Sequence, residues 1–306
     1  MLNQSSARQS FPDTRNSSVA LSRIEQNESG QTGLVNSAVT ANRPRASGVR
    51  IRPVALPVEH GGWGLTLEPI ALGLLLAPSV QGALLALATI AVFLARHPLK
   101  LLAADRRHKR RFPRTRMAER FVLLYGATGL LSFGGALLSG PKIFLLPLVL
   151  AAPLASIQLG YDLSGRSRSL WPELAGSAAM AAVATSLALA GGWAFAPAFA
   201  LWGVLAARVV PTILYVRAQL RRNHGQTSRT LPVLLLHFAG FVLVLSLASV
   251  RLLPVLAVGA LALLLLRAAY GLRGRQHWSA KKIGLSELGF GALTVLAVVA
   301  GHLLSL

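Results

Sequence analysis

Pro57-Val58-Glu59-His60-Gly61-Gly62-Trp63-Gly64, continuing through Glu68-Pro69, opens the first of a long series of apolar blocks. On its N-terminal side, residues 1–54 are rich in Ser, Asn, Gln, Thr and Arg and hold no apolar run. Such a composition has too little apolar surface to offset the entropy of ordering, so a disordered polar and basic tail is expected there. The tail also lacks the apolar core of a secretory signal. On the C-terminal side, residues 55–306 are expected to form one membrane domain. The basic border Arg43 to Arg52 is expected to lie along anionic headgroups.

The blocks run over about 60–78, 80–97, 118–139, 142–160, 172–190, 193–216, 231–249, 252–270 and 285–305. Each approaches the roughly 20 residues that a helix needs to cross about 30 Å of hydrocarbon. No period-2 alternation supports a barrel strand. The chain is 53% hydrophobic and only 13% charged, about half the charged fraction of soluble domains. The pattern predicts an all-α membrane protein with nine transmembrane helices. The formal net charge of +21 concentrates in alternate loops, after the second, fourth, sixth and eighth blocks. By the positive-inside rule those loops and the N-terminus are cytoplasmic, and nine spans put the C-terminus outside. This predicts a multi-pass protein of the inner or plasma membrane, in contact with the lipid bilayer.

The placement of the basic residues between spans favours a membrane surface over nucleic acid as their partner. With no cysteine, thiolate metal sites, thiol nucleophiles and disulfides are excluded. The histidines show no metal-ligand spacing. There is no Gly-rich phosphate loop and no Ser-His-Asp set, so no cofactor or metal is implied by the residues themselves.

The acids cluster toward the basic side, and several arginines fall inside spans. A charge in hydrocarbon costs at least about 2.5–3.5 kcal/mol, so such groups face one another or a wet cavity. A cytoplasm-facing polar pocket walled by Glu–Arg pairs is therefore expected. In the first span, helical spacing sets His60, Trp63, Gly64 and Leu67 on one face. Pro69 predicts a kink at Glu68. Glu59, His60 and Glu68 read either as a ligand or proton site or as the edge of a Trp-anchored glycine packing seam.

In the sixth span, Arg208, Tyr215, Arg217 and Arg221 form a second group. Arg217 and Arg221 are i, i+4 and suit phosphate or carboxylate recognition, or simple snorkelling to headgroups. Asp162, Arg166 and Glu173, between the fourth and fifth spans, read either as a cluster that pairs with these arginines or as a solvated loop with a Trp anchor. Glu287 reads as a helix-capping acid or as a pocket residue.

Four separated motifs resemble the YwiC-like family: Pro57-x-Glu59-His60-Gly61-x-Trp63, Ala95-Arg96-x-Pro98-Leu99, Arg208-x-x-Pro211-x-x-x-Tyr215-Val216-Arg217 and Lys282-Ile283-Gly284-x-x-Glu287. Gly62 stands where the family pattern has Ala. The resemblance implies a bacterial integral membrane protein and supplies no reaction. The nine-span plan also resembles the UbiA-type prenyltransferases, whose Asp-rich motifs hold Mg²⁺ and an isoprenoid diphosphate. Matching the second of those motifs puts Arg217 and Arg221 where its carboxylates stand, with Gly225 and Ser228 in register. Three functions stay open: binding or transport of an anionic small molecule or lipid headgroup, metal-independent chemistry on an isoprenoid or lipid phosphate, and a scaffolding role.

Overall fold

The structure is a computed structural model that describes residues 51–57, 60–109, 111–166, 168–273 and 278–305. The expected tail, residues 1–54, lies almost wholly outside the described residues, as does Glu59.

All regular structure among the described residues is helical. A four-residue turn, α1 (Arg52–Ala55), precedes α2 (His60–Leu76), α3 (Val80–Arg107), α4 (Pro113–Leu138), α5 (Leu145–Leu163), α6 (Leu170–Ala190), α7 (Phe195–Asn223), α8 (Leu231–Ser249), α9 (Val255–Arg273) and α10 (Ala280–Leu303). A 3₁₀ turn, Lys142–Phe144, leads into α5. The eight helices from α3 to α10 are long and apolar enough to cross a membrane, whereas α2, with 17 residues, is shorter. At 1.5 Å per residue α2 covers about 26 Å. Short connections make successive long helices antiparallel, so the α3–α4, α5–α6, α7–α8 and α9–α10 loops share one end, the basic end.

Three helix boundaries differ from the sequence expectation. The second block was expected to stop near residue 97, yet α3 continues through Pro98 to Arg107. Arg96 and Lys100 thereby become helix-borne side chains one turn apart instead of loop cations. The last helix begins at Ser279, whose hydroxyl accepts from the Lys282 backbone N–H at 3.3 Å. Glu287 then sits two turns inside α10, too deep to cap it. α7 runs past the sixth block to Asn223, so Arg217 and Arg221 are helical: His224 caps α7, and Gly225 turns the chain with φ +71°, a conformation that glycine adopts without a Cβ clash. Pro69 lies within a helix that stays continuous from His60 to Leu76.

The core gathers around α2, α6 and α7, where Leu72, Leu187, Leu201 and Val204 are fully or almost fully buried. α6 packs against α2, α5 and α7, while α10 closes onto α2. Small residues allow this crowding. A Cβ at Gly73 of α2 would lie 2.5 Å from the Leu187 Cβ of α6. Close backbone approach of this kind drives helix association where no hydrophobic force separates helix from lipid. α4 and α5 sit at the periphery and present leucine faces, with Leu131 and Leu138 almost bare, to the surroundings.

Candidate functional site

A cavity of about 1280 Å³ runs between α2, α3, α4, α5, α6, α7 and α10. Its middle is walled by apolar side chains such as Leu85, Phe133, Leu148 and Met180; its basic end is lined by charged ones. Six cationic residues (Arg96, Lys100, Arg168, Arg208, Arg217 and Arg221) and four acids (Glu68, Asp162, Glu173 and Glu287) line it. The cationic excess makes the basic end attractive to an anion.

Three ion-pair clusters build that wall. Asp162 of α5, 3% exposed, pairs with the Arg96 guanidinium through Nε and through Nη2 at 3.1 Å. Lys100 Nζ lies 3.2 Å from Asp162 Oδ1, the oxygen that also accepts from Arg96 Nη2. Arg96 and Lys100 reach the same carboxylate because they stand i, i+4 on α3. With its amide oxygen turned toward Arg96, Gln158 accepts from Nη1 at 2.8 Å. Glu173 of α6 accepts from Arg217 Nε at 2.8 Å, and Arg217 Nη2 donates to the Arg168 carbonyl at 2.6 Å.

The third cluster lies deepest. Arg208 Nη1 of α7 is 2.9 Å from Glu68 Oε2 of α2, and both side chains are more than nine-tenths buried. Arg208 Nη2 donates to the Glu287 carbonyl at 2.6 Å. The Glu287 carboxylate is held by the forked guanidinium of Arg267, which itself lies 4.3 Å from the Tyr215 ring centroid and 4.4 Å from that of Phe290. A charge so placed is neutralised by its partner and its field is shielded by the rings. Gly291 of α10 leaves the space for this contact: a Cβ there would press into the Glu68 carboxylate and come within 2.7 Å of Arg208 Nη2.

The deep cluster is not saturated. Arg208 Nε, Thr212 Oγ1 and Ser186 Oγ are buried without a hydrogen-bond partner, and Glu68 Oε2, although close to Arg208, meets it off the hydrogen-bonding direction. All four residues line the cavity. Buried polar atoms are normally satisfied, so this patch is ready to bond a polar group inside the cavity.

The structure thus brings together Glu68, Asp162, Arg208, Arg217, Arg221 and Glu287 from the sequence-based set. Of the expected Asp162–Arg166–Glu173 cluster, Glu173 pairs with Arg217 of α7, whereas Asp162 pairs with Arg96 and Lys100 of α3. Trp63 stands edge-on to Phe93 with ring centroids 5.2 Å apart and reaches the cavity only through that ring. Tyr215 faces a second, smaller cavity of about 430 Å³, shared with Arg267, Tyr270 and Trp278. The His60 side chain and Glu59 are outside the described set. His237, buried in α8, bonds the Val233 carbonyl of its own helix at 2.8 Å. Ser186, Thr212, Gln158 and Gly291 went unnoticed in the sequence; the i, i+4 spacing of Arg208 and Thr212 was the one available signal.

Among the described residues no three His, Asp or Glu side chains gather as a metal site. A divalent cation takes carboxylate oxygens. Arg217 and Arg221 offer none, and Glu68, Asp162, Glu173 and Glu287 each already face Arg or Lys. The side chains present therefore do not fit the Mg²⁺ site of the UbiA-type pattern.

A comparison with curated protein sequences finds no match. A solved structure described as digeranylgeranylglyceryl phosphate synthase in membranes aligns over 78% of this chain and 92% of that chain, with TM-score 0.52 and 13% identity. At that identity the likeness carries the helical architecture alone. The model of the YwiC-like protein family matches residues 56–188. That stretch includes the Glu59–Trp63 and Arg96–Leu99 motifs, and the two later motifs lie beyond it. Over residues 56–188 this chain is similar to the YwiC-like protein family, and its helical architecture is similar to that of the solved synthase structure.

Proposed function

We propose that this protein binds, and presents or transports, an anionic small molecule or lipid headgroup at the basic end of the main cavity. The observation that carries this reading is the cavity itself: its lining is largely apolar, with six cations against four acids among it, and Lys100, Arg168, Arg217 and Arg221 stand near the basic loops. Arg217 and Arg208 are held in place by Glu173 and Glu68. Arg221 and Arg168 have no acidic partner among the described residues and supply the free positive charge. In this reading α2 is a ninth span, the basic end is cytoplasmic, the C-terminus is outside, and residues 1–54 are a tail on the cytoplasmic side. The protein then sits in a plasma or inner membrane as a multi-pass protein.

The test is ligand-dependent thermal stabilisation of the purified protein by glycerol 3-phosphate and by short-chain phosphatidic acid. Stabilisation that is lost in Arg221→Ala supports the reading; no stabilisation by either compound removes it.

A second reading is metal-independent transfer on an isoprenoid phosphate, and the fold likeness to a phosphate-lipid synthase favours it. The allylic C–O bond to diphosphate would break, with the leaving group held by Arg217 and Arg221. An acceptor oxygen would bond the same carbon and pass its proton to Glu68 or His60. Consumption of an allylic diphosphate with a hydroxylated acceptor, measured in metal chelator, decides it.

A further inference from the structure

The second cavity, of about 430 Å³, shares no lining residue with the main one. Helical phase separates the two. On α10, Ile283, Ser286 and Phe290 line the second cavity, whereas Gly284, Glu287 and Leu288 line the main one. On α7, Tyr215 and Gln219 stand i, i+4 and face the second cavity, while Arg208 and Thr212 face the main one. Gln219 and Tyr270 lie close to the C-terminal ends of α7 and α9, and Trp278 directly precedes the Ser279 cap of α10. The second cavity therefore stands at the basic end, within reach of water. Its volume falls within the range of about 300–1,000 Å³ usual for small-molecule sites.

The polar groups of this cavity are unevenly used. Gln219 Nε2 donates to Tyr215 Oη at 3.0 Å and to the Gly271 carbonyl at 2.8 Å. A carbonyl only accepts, so the amide orientation is fixed and both of its protons are taken. Gln219 Oε1 is left as an acceptor, and Tyr215 Oη, already accepting, keeps its own proton to donate. Neither this oxygen nor this proton has a partner among the described residues. Gly271 makes the arrangement possible, because a Cβ there would collide with Tyr215 Oη. Much of the remaining wall is aromatic. The Arg267 guanidinium lies over both the Tyr215 and Phe290 rings, and Glu287 takes its charge. Trp278 and Tyr270 add two further ring faces. Lys282 Nζ lies 4.6 Å from the Trp278 centroid, and Arg273, Lys281 and Lys282 are exposed beside it.

We propose that this second cavity binds a planar heteroaromatic ring with an anionic tail, the chemistry of a nucleotide, taken up from the aqueous phase at the basic end. Three features select that occupant. Ring faces on the wall favour a flat π-system. The Tyr215 proton and Gln219 Oε1, side by side, match a ring edge that presents a carbonyl next to an N–H. An alkyl chain would leave both groups unpaired, at the cost of a buried polar group without a partner. The exposed cations at the rim suit a phosphate tail and repel a cationic ligand.

Titration of the purified full-length protein in nanodiscs into flavin mononucleotide tests this, since flavin emission falls when the ring stacks on Trp or Tyr. Saturable quenching is expected, reversed by uridine monophosphate and not by inorganic phosphate. Riboflavin, which has the ring without the phosphate, should bind severalfold more weakly. Tyr215→Phe removes only the donated proton and should weaken binding about three- to tenfold, the worth of one hydrogen bond. Ser286→Phe fills the cavity and should abolish binding; Ser286→Leu replaces it if circular dichroism shows that the larger side chain disturbs the fold. Lys282→Gln should bring flavin mononucleotide down to the riboflavin level. Absence of saturable quenching, reversal by inorganic phosphate, or quenching unchanged in both the Tyr215 and Ser286 variants would overturn the site. Equal binding of riboflavin and flavin mononucleotide would overturn the anionic tail.

Discussion

The Glu68 carboxylate and the Arg208 guanidinium lie 2.9 Å apart across the α2–α7 boundary, near the middle of both helices. Each side chain is almost completely buried. The two charges answer each other where neither would be tolerated alone. Because Arg208 also grips the Glu287 carbonyl, the pair ties α2, α7 and α10 into one unit at the deep end of the cavity.

Breaking this pair from one side is expected to cost about 3–5 kcal/mol, because it strands a buried charge. Glu68→Leu and Arg208→Met should each lower the unfolding midpoint strongly, and the double variant should recover much of the loss. Thermal or denaturant unfolding in one detergent measures the cycle. Additive losses would show that the two residues do not act as a pair.

Gly291 is expected to be intolerant for a local reason. Gly291→Ala places a methyl group against Glu68 and Arg208 and should destabilise by about 1–3 kcal/mol. Gly289→Ala, on the same helix with open space around its Cβ, should be neutral or stabilise by about 0.5–1 kcal/mol. Unfolding midpoints of the two variants provide the comparison, and equal effects would contradict the crowding at Gly291.

Asp162 restrains two cations at once. Asp162→Asn is expected to lower the stability of the ligand-free protein by about 1–3 kcal/mol, through loss of charged hydrogen bonds. The same change frees positive charge at the cavity end, so stabilisation by short-chain phosphatidic acid should increase. Differential scanning with and without that lipid reads both effects; a decrease in lipid stabilisation would place Asp162 on the binding side instead.

Arg217 and Arg221 share a helix face but not a role. Arg217 is locked by Glu173 and the Arg168 carbonyl, so Arg217→Ala should lower the unfolding midpoint even without ligand. Arg221→Ala should leave the ligand-free midpoint within about 0.5 kcal/mol, as for exposed positions generally, and abolish stabilisation by anionic ligand. Identical behaviour of the two variants would argue against this division.

The topology makes a separate prediction. Alkaline phosphatase fused after Leu306 should be active outside the cell, and the same reporter placed in the loop at 224–230 should be inactive. An inactive C-terminal fusion would mean that α2, about 26 Å long, does not cross the membrane.

Much of this architecture was legible beforehand. Because burial in hydrocarbon demands a composition that no loop shares, the apolar blocks located all of the long helices, although α3 and α7 run well past theirs to Arg107 and Asn223. The charge alternation also indicated which helix ends gather the acids and arginines. The motif around His60 to Pro69 identified α2 as the helix that brings a carboxylate deep into the bundle. It did not reveal that Trp63 packs on Phe93, or that α3 carries Arg96 and Lys100 onto Asp162, since both depend on how far a helix continues past its apolar block.

By itself the sequence determined that this is a helical membrane protein with its ionisable groups drawn to one end. That information is one-dimensional: hydrophobicity and charge along a chain in a slab-shaped solvent. Which acid meets which arginine was decided by tertiary structure. Glu68 with Arg208, Glu287 with Arg267 and Asp162 with Arg96 depend on which helices become neighbours. Small-residue contacts such as Gly73 on Leu187 and Gly291 beside Glu68 set that neighbourhood. α4 and α5 make the same point: consecutive in the chain, they pack on α3 and α6 rather than along each other, and spacing along the sequence does not encode that preference.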